Sequence, residues 1–276
     1  MTTIRTVVVT GATGNVGRPL VKELTQAGIE VRAVSRTPGA GTFGSALDAL
    51  PGADAVFLNS RALGGELEAT VAAAVKAGVT RLVALSAINA DDDFSRQPSR
   101  FRGDRNREVE QLAVHSGLEW VSLRPSVFAS NFAGMWAQQI RAGDVVGGPY
   151  ASASTAPIAD NDISAVAARA LLGDDLVGQR IPLTGPQALT NAQLIEVIGT
   201  VLGRELRYLE VPEDVVRQRF LGIGFPAEFA DAYVALLAET VDRPALVTHD
   251  VEKILDRPAH TFAQWVSGHR NLFTDN

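Results

Sequence analysis

Thr6-Val7-Val8-Val9-Thr10 is an unbroken β-branched run, as a central parallel strand buried on both faces requires. A glycine-rich stretch follows, and then Val16, Leu20 and Leu24 recur at helical spacing until Gly28 stops them. Residues 30–34 read as a second strand, 55–58 as a third, and 67–77 as a helix closed by Gly78. Residues 81–85 form another strand, 106–115 a helix closed by Gly117, and 119–123 a strand again. Strands alternating with helices of this length predict right-handed βαβ units and a doubly wound parallel sheet covered on both faces.

Beyond about residue 125 the alternation loosens. Asp162 is placed to cap a helix through residue 172, residues 180–183 read as a strand, and Thr190 with Gln193 has capping-box spacing ahead of a helix ended by Gly203. A strand over 206–211 precedes a mainly helical end, which a second box, Thr261 to Gln264, enters. There is no internal repeat and no long linker. The expected division is a core over residues 1–125 and a smaller α/β subdomain over 126–276, with part of that chain returning to the core.

Composition narrows the class. The 276 residues are 46% hydrophobic and 20% charged, which suits a globular domain. A net charge of −6 disfavours nucleic acid and anionic membrane as partners. No cysteine is present, so disulfides, thiolate metal sites and cysteine nucleophiles are excluded together. No apolar run is long enough for a membrane span, and the first residues lack a secretion signal. These features lead us to expect a cytoplasmic protein acting on a small molecule, its oligomeric state open.

Gly11, Gly14 and Gly17 form a G-x-x-G-x-x-G pattern between the first strand and the first helix. There Gly11 would allow a tight turn, Gly14 would admit a pyrophosphate against the backbone, and Gly17 would let helix and sheet pack closely. Free N–H groups and the helix dipole would face the phosphates. Gly11, Thr13, Gly14, Asn15, Val16 and Gly17 are therefore the expected cofactor-binding residues of this turn. The second strand ends Val34-Ser35-Arg36 without an acid. An acid would bind a ribose 2′-hydroxyl, whereas Arg36, helped by Ser35, suits a 2′-phosphate, so NADP(H) is expected over NAD(H).

With Leu85-Ser86-Ala87, Ser116-Gly117-Leu118, Leu123-Arg124-Pro125 and Leu183-Thr184-Gly185-Pro186, these motifs resemble the NmrA-like group of atypical short-chain dehydrogenases/reductases, over nearly the whole chain. The resemblance implies a Rossmann core, a substrate subdomain and usually NADP(H). The group contains quinone and isoflavone-type reductases and also nucleotide-binding regulators without turnover. Such relatives carry an extra strand with an Asp beside the adenine. Here only a short stretch and a helical piece over 46–50 separate Arg36 from Ala55, so that edge strand is expected to be missing.

The catalytic machinery is less legible. The tyrosines are Tyr150, Tyr208 and Tyr233, followed four positions on by Ser154, Pro212 and Leu237, so no Tyr-x-x-x-Lys pair exists. In atypical relatives a lysine or histidine often stands one turn before a glutamate; here these positions are Asn106 and Glu110. Asparagine can hold a carbonyl but cannot exchange a proton near neutral pH. Ser86, at a central strand tip, is a candidate for nicotinamide or substrate contact, or a strand-end cap. Asn131 is a candidate substrate donor or the N-cap of a helix through residue 140. Phe128, Phe132 and Trp136 have the spacing of an aromatic pocket wall or of ordinary core. Arg96, Arg100, Arg102, Arg105 and Arg107 follow Asp91-Asp92-Asp93 and could meet an anion or pair with their own acids. The four histidines lack metal-ligand spacing, and no Gly-x-Ser-x-Gly is present. Three readings remain: an NADPH-dependent reductase of a quinone-like or unsaturated carbonyl compound, a nucleotide-sensing binding protein without turnover, and a redox-neutral isomerase or cyclase.

Overall fold

The computed structural model describes residues 3–37, 39 and 41–274. Its first half runs β1 (Thr6–Thr10), α1 (Gly17–Gln26), β2 (Glu30–Val34), β3 (Thr42–Phe43), α2 (Ala46–Ala49), β4 (Ala55–Asn59), α3 (Ser60–Leu63), α4 (Leu67–Lys76), β5 (Arg81–Leu85), α5 (Asn106–Val114) and β6 (Glu119–Pro125). The second half runs α6 (Ala129–Ala142), β7 (Val145–Gly148), β8 (Ser154–Thr155), α7 (Asp160–Leu172), β9 (Arg180–Leu183), β10 (Leu189–Thr190), α8 (Asn191–Leu202) and β11 (Arg207–Glu210). It ends with α9 (Glu213–Gly222), α10 (Ala227–Ala238), α11 (Asp250–Leu255) and α12 (Phe262–Gly268).

Seven strands form one parallel sheet in the order β3-β2-β1-β4-β5-β6-β9. Strand residues alternate between faces. Val7 and Val9 therefore join Phe57, Val83, Leu20 and Ile163 on the face covered by α1 and α7, while Val8 joins Val56, Leu58, Leu67 and Val109 on the face covered by α4 and α5. The order reverses direction between β1 and β4, the switch point at which doubly wound sheets open a crevice beyond their carboxyl ends.

The edge strand expected to be missing is present. Thr42 and Phe43 pair with Ala33 and Val34 of β2. Two residues are too few to show alternation, and the strand is set by the turn before it, where Thr42 Oγ1 accepts the Gly39 N–H at 2.7 Å. Two helix starts also differ from the sequence reading. Helix α7 begins at Asp160, so Asp162 lies inside its first turn. The Asp162 carboxylate is fully buried and accepts the His260 N–H at 2.8 Å and pairs with Arg257 at 2.8 Å, which fastens the chain after α11 to the core. Helix α6 begins at Ala129 with Phe128 in the cap position, so Asn131 is not its N-cap.

The C-terminal subdomain contains the pairs β7–β11 and β8–β10, and α6, α8 and α12 enclose its core. Both capping boxes form, Thr190 with Gln193 and Thr261 with Gln264. Helix α7 and strand β9 return to the main sheet. At the edge of that sheet away from the crevice, the fully buried Arg81 donates to the last carbonyls of α7, among them Leu171 at 3.1 Å, and pairs with Glu119 at 2.7 Å. A cation there complements the helix dipole. No described helix is long and apolar enough to cross a membrane.

Candidate functional site

The turn between β1 and α1 needs its glycines for steric reasons. Gly11 has φ +70°, a conformation that costs an L side chain energy, and a Cβ there would stand 3.0 Å from Asn59 Nδ2. A Cβ on Gly17 would stand 2.1 Å from the Gly11 carbonyl oxygen and 2.8 Å from Ala12 Cα, so only glycine lets the helix start this close to the strand. Thr13, Gly14 and Asn15 are exposed at the crest, and Val16 is buried beneath it. The turn is braced from both sides. Thr13 Oγ1 and Ser35 Oγ are 3.3 Å apart. Asn15 Nδ2 donates to Ser130 Oγ at 2.9 Å, whose hydroxyl donates to Asp160 at 2.7 Å, and Ser164 Oγ donates to the Val16 carbonyl at 2.8 Å. Burial raises the Asp160 carboxyl, against the hydrogen bond from Ser130 that lowers it.

Beside the turn lies a cleft of about 340 Å3. Thr10, Gly11, Val34, Arg36, Gly44 and Ala46 line one side, and Arg61 to Gly64 with Glu66 line the other. Arg36 is exposed, and neither it nor Arg61 forms an ion pair with a described residue. Arg61, on α3 directly after β4, was not singled out from the sequence, although its place just past a strand tip at the switch point is the feature that could have marked it. A glycine turn that excludes Cβ atoms and a cleft beside it that two guanidiniums line suit a dinucleotide.

The other candidates are distributed unevenly. Ser86 is buried and its Oγ donates to the Asn106 carbonyl at 2.9 Å. Asn106 is buried too, its Nδ2 donating to Ser99 Oγ at 3.2 Å. Both therefore hold the turn leading into α5. The neighbouring Arg105 N–H donates to Ser60 Oγ at 2.9 Å. Immediately before Arg105 lies Asp104, whose carboxyl is raised by burial and lowered by Arg61 and Arg102. Glu110 accepts from Ser122 Oγ at 2.5 Å, Arg124 Nη2 at 2.6 Å and Arg180 Nε at 2.6 Å. Burial works to raise its carboxyl, but the hydrogen bonds from Arg124, Ser122 and Arg180 prevail and hold it at about 2.

Asn131 is exposed on the first turn of α6, and Phe128 is half-buried against the main core. Phe132 and Trp136 are both 3% exposed within the subdomain core, Phe132 edge-on to Phe262 at 5.4 Å and Trp136 edge-on to Tyr208 at 6.1 Å. Helical spacing cannot separate a pocket wall from core, and here these two rings face core partners. The arginines after Asp91-Asp92-Asp93 are mostly saturated by acids from elsewhere. Arg96 pairs with Glu239, Arg100 with Glu108 and Arg105 with Glu68, while Arg107 donates to the carbonyls of Ala90 and Asp92. Arg102 instead lies over the Phe225 ring, 5.0 Å from its centroid.

A sequence model described as the NmrA-like family matches residues 42–257. The chain is 34% identical to a (4-alkanoyl-5-oxo-2,5-dihydrofuran-3-yl)methyl phosphate reductase of Streptomyces griseus, over 97% of this chain and 99% of that one. It is 31% identical to an NAD(P)H azoreductase of Xenophilus azovorans, over 97% and 99%. Its fold superimposes on an NADPH-dependent quinone oxidoreductase from Escherichia coli with a TM-score of 0.78 at 22% identity, covering 96% of this chain and 100% of that one.

Proposed function

The chain belongs to the NmrA-like family, and from that premise we propose that it is an NADPH-preferring reductase of a small quinone-like or unsaturated carbonyl compound. One observation carries the reading: the glycine turn opens onto a cleft whose two lining arginines, Arg36 and Arg61, have no ion-pair partner among the described residues. The names of the relatives support it. One reduces an alkanoyl-oxo-dihydrofuranyl phosphate, a conjugated carbonyl, and another is an NAD(P)H azoreductase.

The dinucleotide, when bound, supplies a hydride. The backbone of Thr13, Gly14 and Asn15 would take the pyrophosphate, with the α1 N-terminus behind it. Arg36 would take the 2′-phosphate bidentately, and Ser35, already 3.3 Å from Thr13 Oγ1, would fix the strand end beside it. Ser86 would shape the floor of the reacting end, with Phe128 and Asn131 bordering the substrate. Phe132 and Trp136 are left out of the pocket because their rings face core partners. The test is NADPH consumption, followed by absorbance, across a panel of quinones and α,β-unsaturated carbonyls. Turnover of at least one is expected, and failure with every member would overturn the reading.

A second reading draws on Asn106, which cannot deliver a proton and whose carbonyl and amide are both engaged. It makes the protein a nucleotide-sensing binder without turnover. Cofactor would then change its partner or oligomeric state, and a pull-down indifferent to cofactor would count against it.

A further inference from the structure

The reductase reading leaves one proton without a source, because Asn106 cannot give one and Glu110, held at about 2, stays ionised at neutral pH. We propose that Asp104 is the catalytic proton donor of the reduction; the assignment rests on the reductase reading and goes beyond it by naming the acid.

Position is the first argument. The backbone on the C-terminal side of Asp104 is fastened across two strand tips. Arg105 N–H is 2.9 Å from Ser60 Oγ, just past β4, and Ser86 Oγ, just past β5, is 2.9 Å from the Asn106 carbonyl oxygen. Both tips are at the carboxyl edge, on the far side of the switch point from β2 and Arg36. A dinucleotide held with its adenosine end at Arg36 and its phosphates on the β1 turn would direct its reacting end toward β4 and β5.

Availability is the second. The Asp104 carboxylate makes no hydrogen bond or ion pair with a described residue, whereas Glu108 is taken by Arg100 at 2.8 Å, and Glu110 and Asp91 are taken by Arg124 at 2.6 and 2.7 Å. Its surroundings act on both forms of the carboxyl. Burial favours the neutral acid, and Arg61 from α3 and Arg102, the charged groups acting on it, favour the carboxylate left behind.

The step balances. A hydride carrying two electrons passes from the reduced dinucleotide to the electrophilic carbon of the conjugated carbonyl, and the dinucleotide ends oxidised. The Asp104 O–H bond breaks as its proton moves to the substrate oxygen, giving the two-electron-reduced product. The carboxylate then regains a proton from water.

The test compares kcat against pH for wild type, Asp104→Asn and Asp104→Glu on a turned-over quinone or enone, with NADPH affinity measured by fluorescence. Wild-type kcat falls as pH rises through the Asp104 pKa. In Asp104→Asn, kcat should drop by about 100-fold or more and lose that alkaline limb, while NADPH affinity stays within about threefold. Asp104→Glu should keep NADPH binding and restore a limb at a changed pH. In the protein without substrate, one aspartate carboxyl 13C resonance, absent from Asp104→Asn, should titrate above the ordinary aspartate range. Asp104→Asn with wild-type kcat and pH profile would overturn the assignment alone, and so would a limb unmoved in Asp104→Glu should the Asn variant fail to bind NADPH. No turnover by the wild type would overturn the reductase reading and the assignment with it.

Discussion

Glu110→Gln measures how firmly α5, which carries the Asp104–Asn106 turn, is held to the sheet. The carboxylate has only 5% of its side chain exposed and accepts hydrogen bonds from Ser122, Arg124 and Arg180. Burial pushes its pKa up, but those bonds bring it from the ordinary 4.5 down to about 2. A depressed folded pKa gives stability that is complete above the unfolded value and is lost as pH falls from 4.5 toward about 2. At ~1.4 kcal/mol per pH unit this comes to ~3 kcal/mol at neutral pH and to roughly half of that near pH 3. Glutamine keeps the shape and one acceptor, while Arg124 retains Asp91 and Arg180 is 45% exposed, so water softens the loss. The expected cost is therefore ~2–3 kcal/mol near pH 7 and ~1–1.5 kcal/mol near pH 3. Urea unfolding of both proteins at the two pH values is the assay. A cost below ~0.5 kcal/mol near pH 7, or one equal at both pH values, would refute the reasoning.

Gly17→Ala drives a methyl group against the Gly11 carbonyl, so it should cost ~1–3 kcal/mol in urea unfolding and abolish tight NADPH binding; unaltered binding would contradict the role given to the turn. Arg61→Ala removes a cation that lowers the Asp104 pKa, so the alkaline limb of kcat should move to higher pH, and a limb that stays in place would count against that coupling. Thr190→Ala removes an N-cap remote from the cleft; it should cost ~1 kcal/mol of stability, measured by thermal melting, with kcat unchanged.

The core of the sheet was legible because β1 is a β-branched run and short apolar strands follow glycines, as β2 follows Gly28 and β5 follows Gly78, and the capping boxes at Thr190 and Thr261 carried their own chemistry. β3 escaped notice because two residues have no period. Asp162 and Asn131 looked like caps because such residues favour helix starts, but their helices begin two residues earlier, at Asp160 and Ala129. At the turn, the steric need for glycine at Gly11 and Gly17 followed from spacing alone, since backbone sterics are local. Arg61 and Asp104 were not visible, because one side of the cleft and the burial of that carboxyl are made by segments far apart in the chain. Phe132 and Trp136 show the same limit: their spacing fixed the face they share, while Phe262, about 130 residues on, decided what that face meets.

The proposed cofactor preference rests on the cleft beside the glycine turn and on the arginine at the end of β2. Titration of the protein with NADPH and with NADH, followed by nicotinamide fluorescence and repeated with Arg36→Ala, tests it most directly. NADPH is expected to bind at least about tenfold more tightly than NADH, and Arg36→Ala to remove most of this preference while leaving NADH binding nearly unchanged. Binding of neither nucleotide, or a preference for NADPH that survives the loss of Arg36, would contradict it.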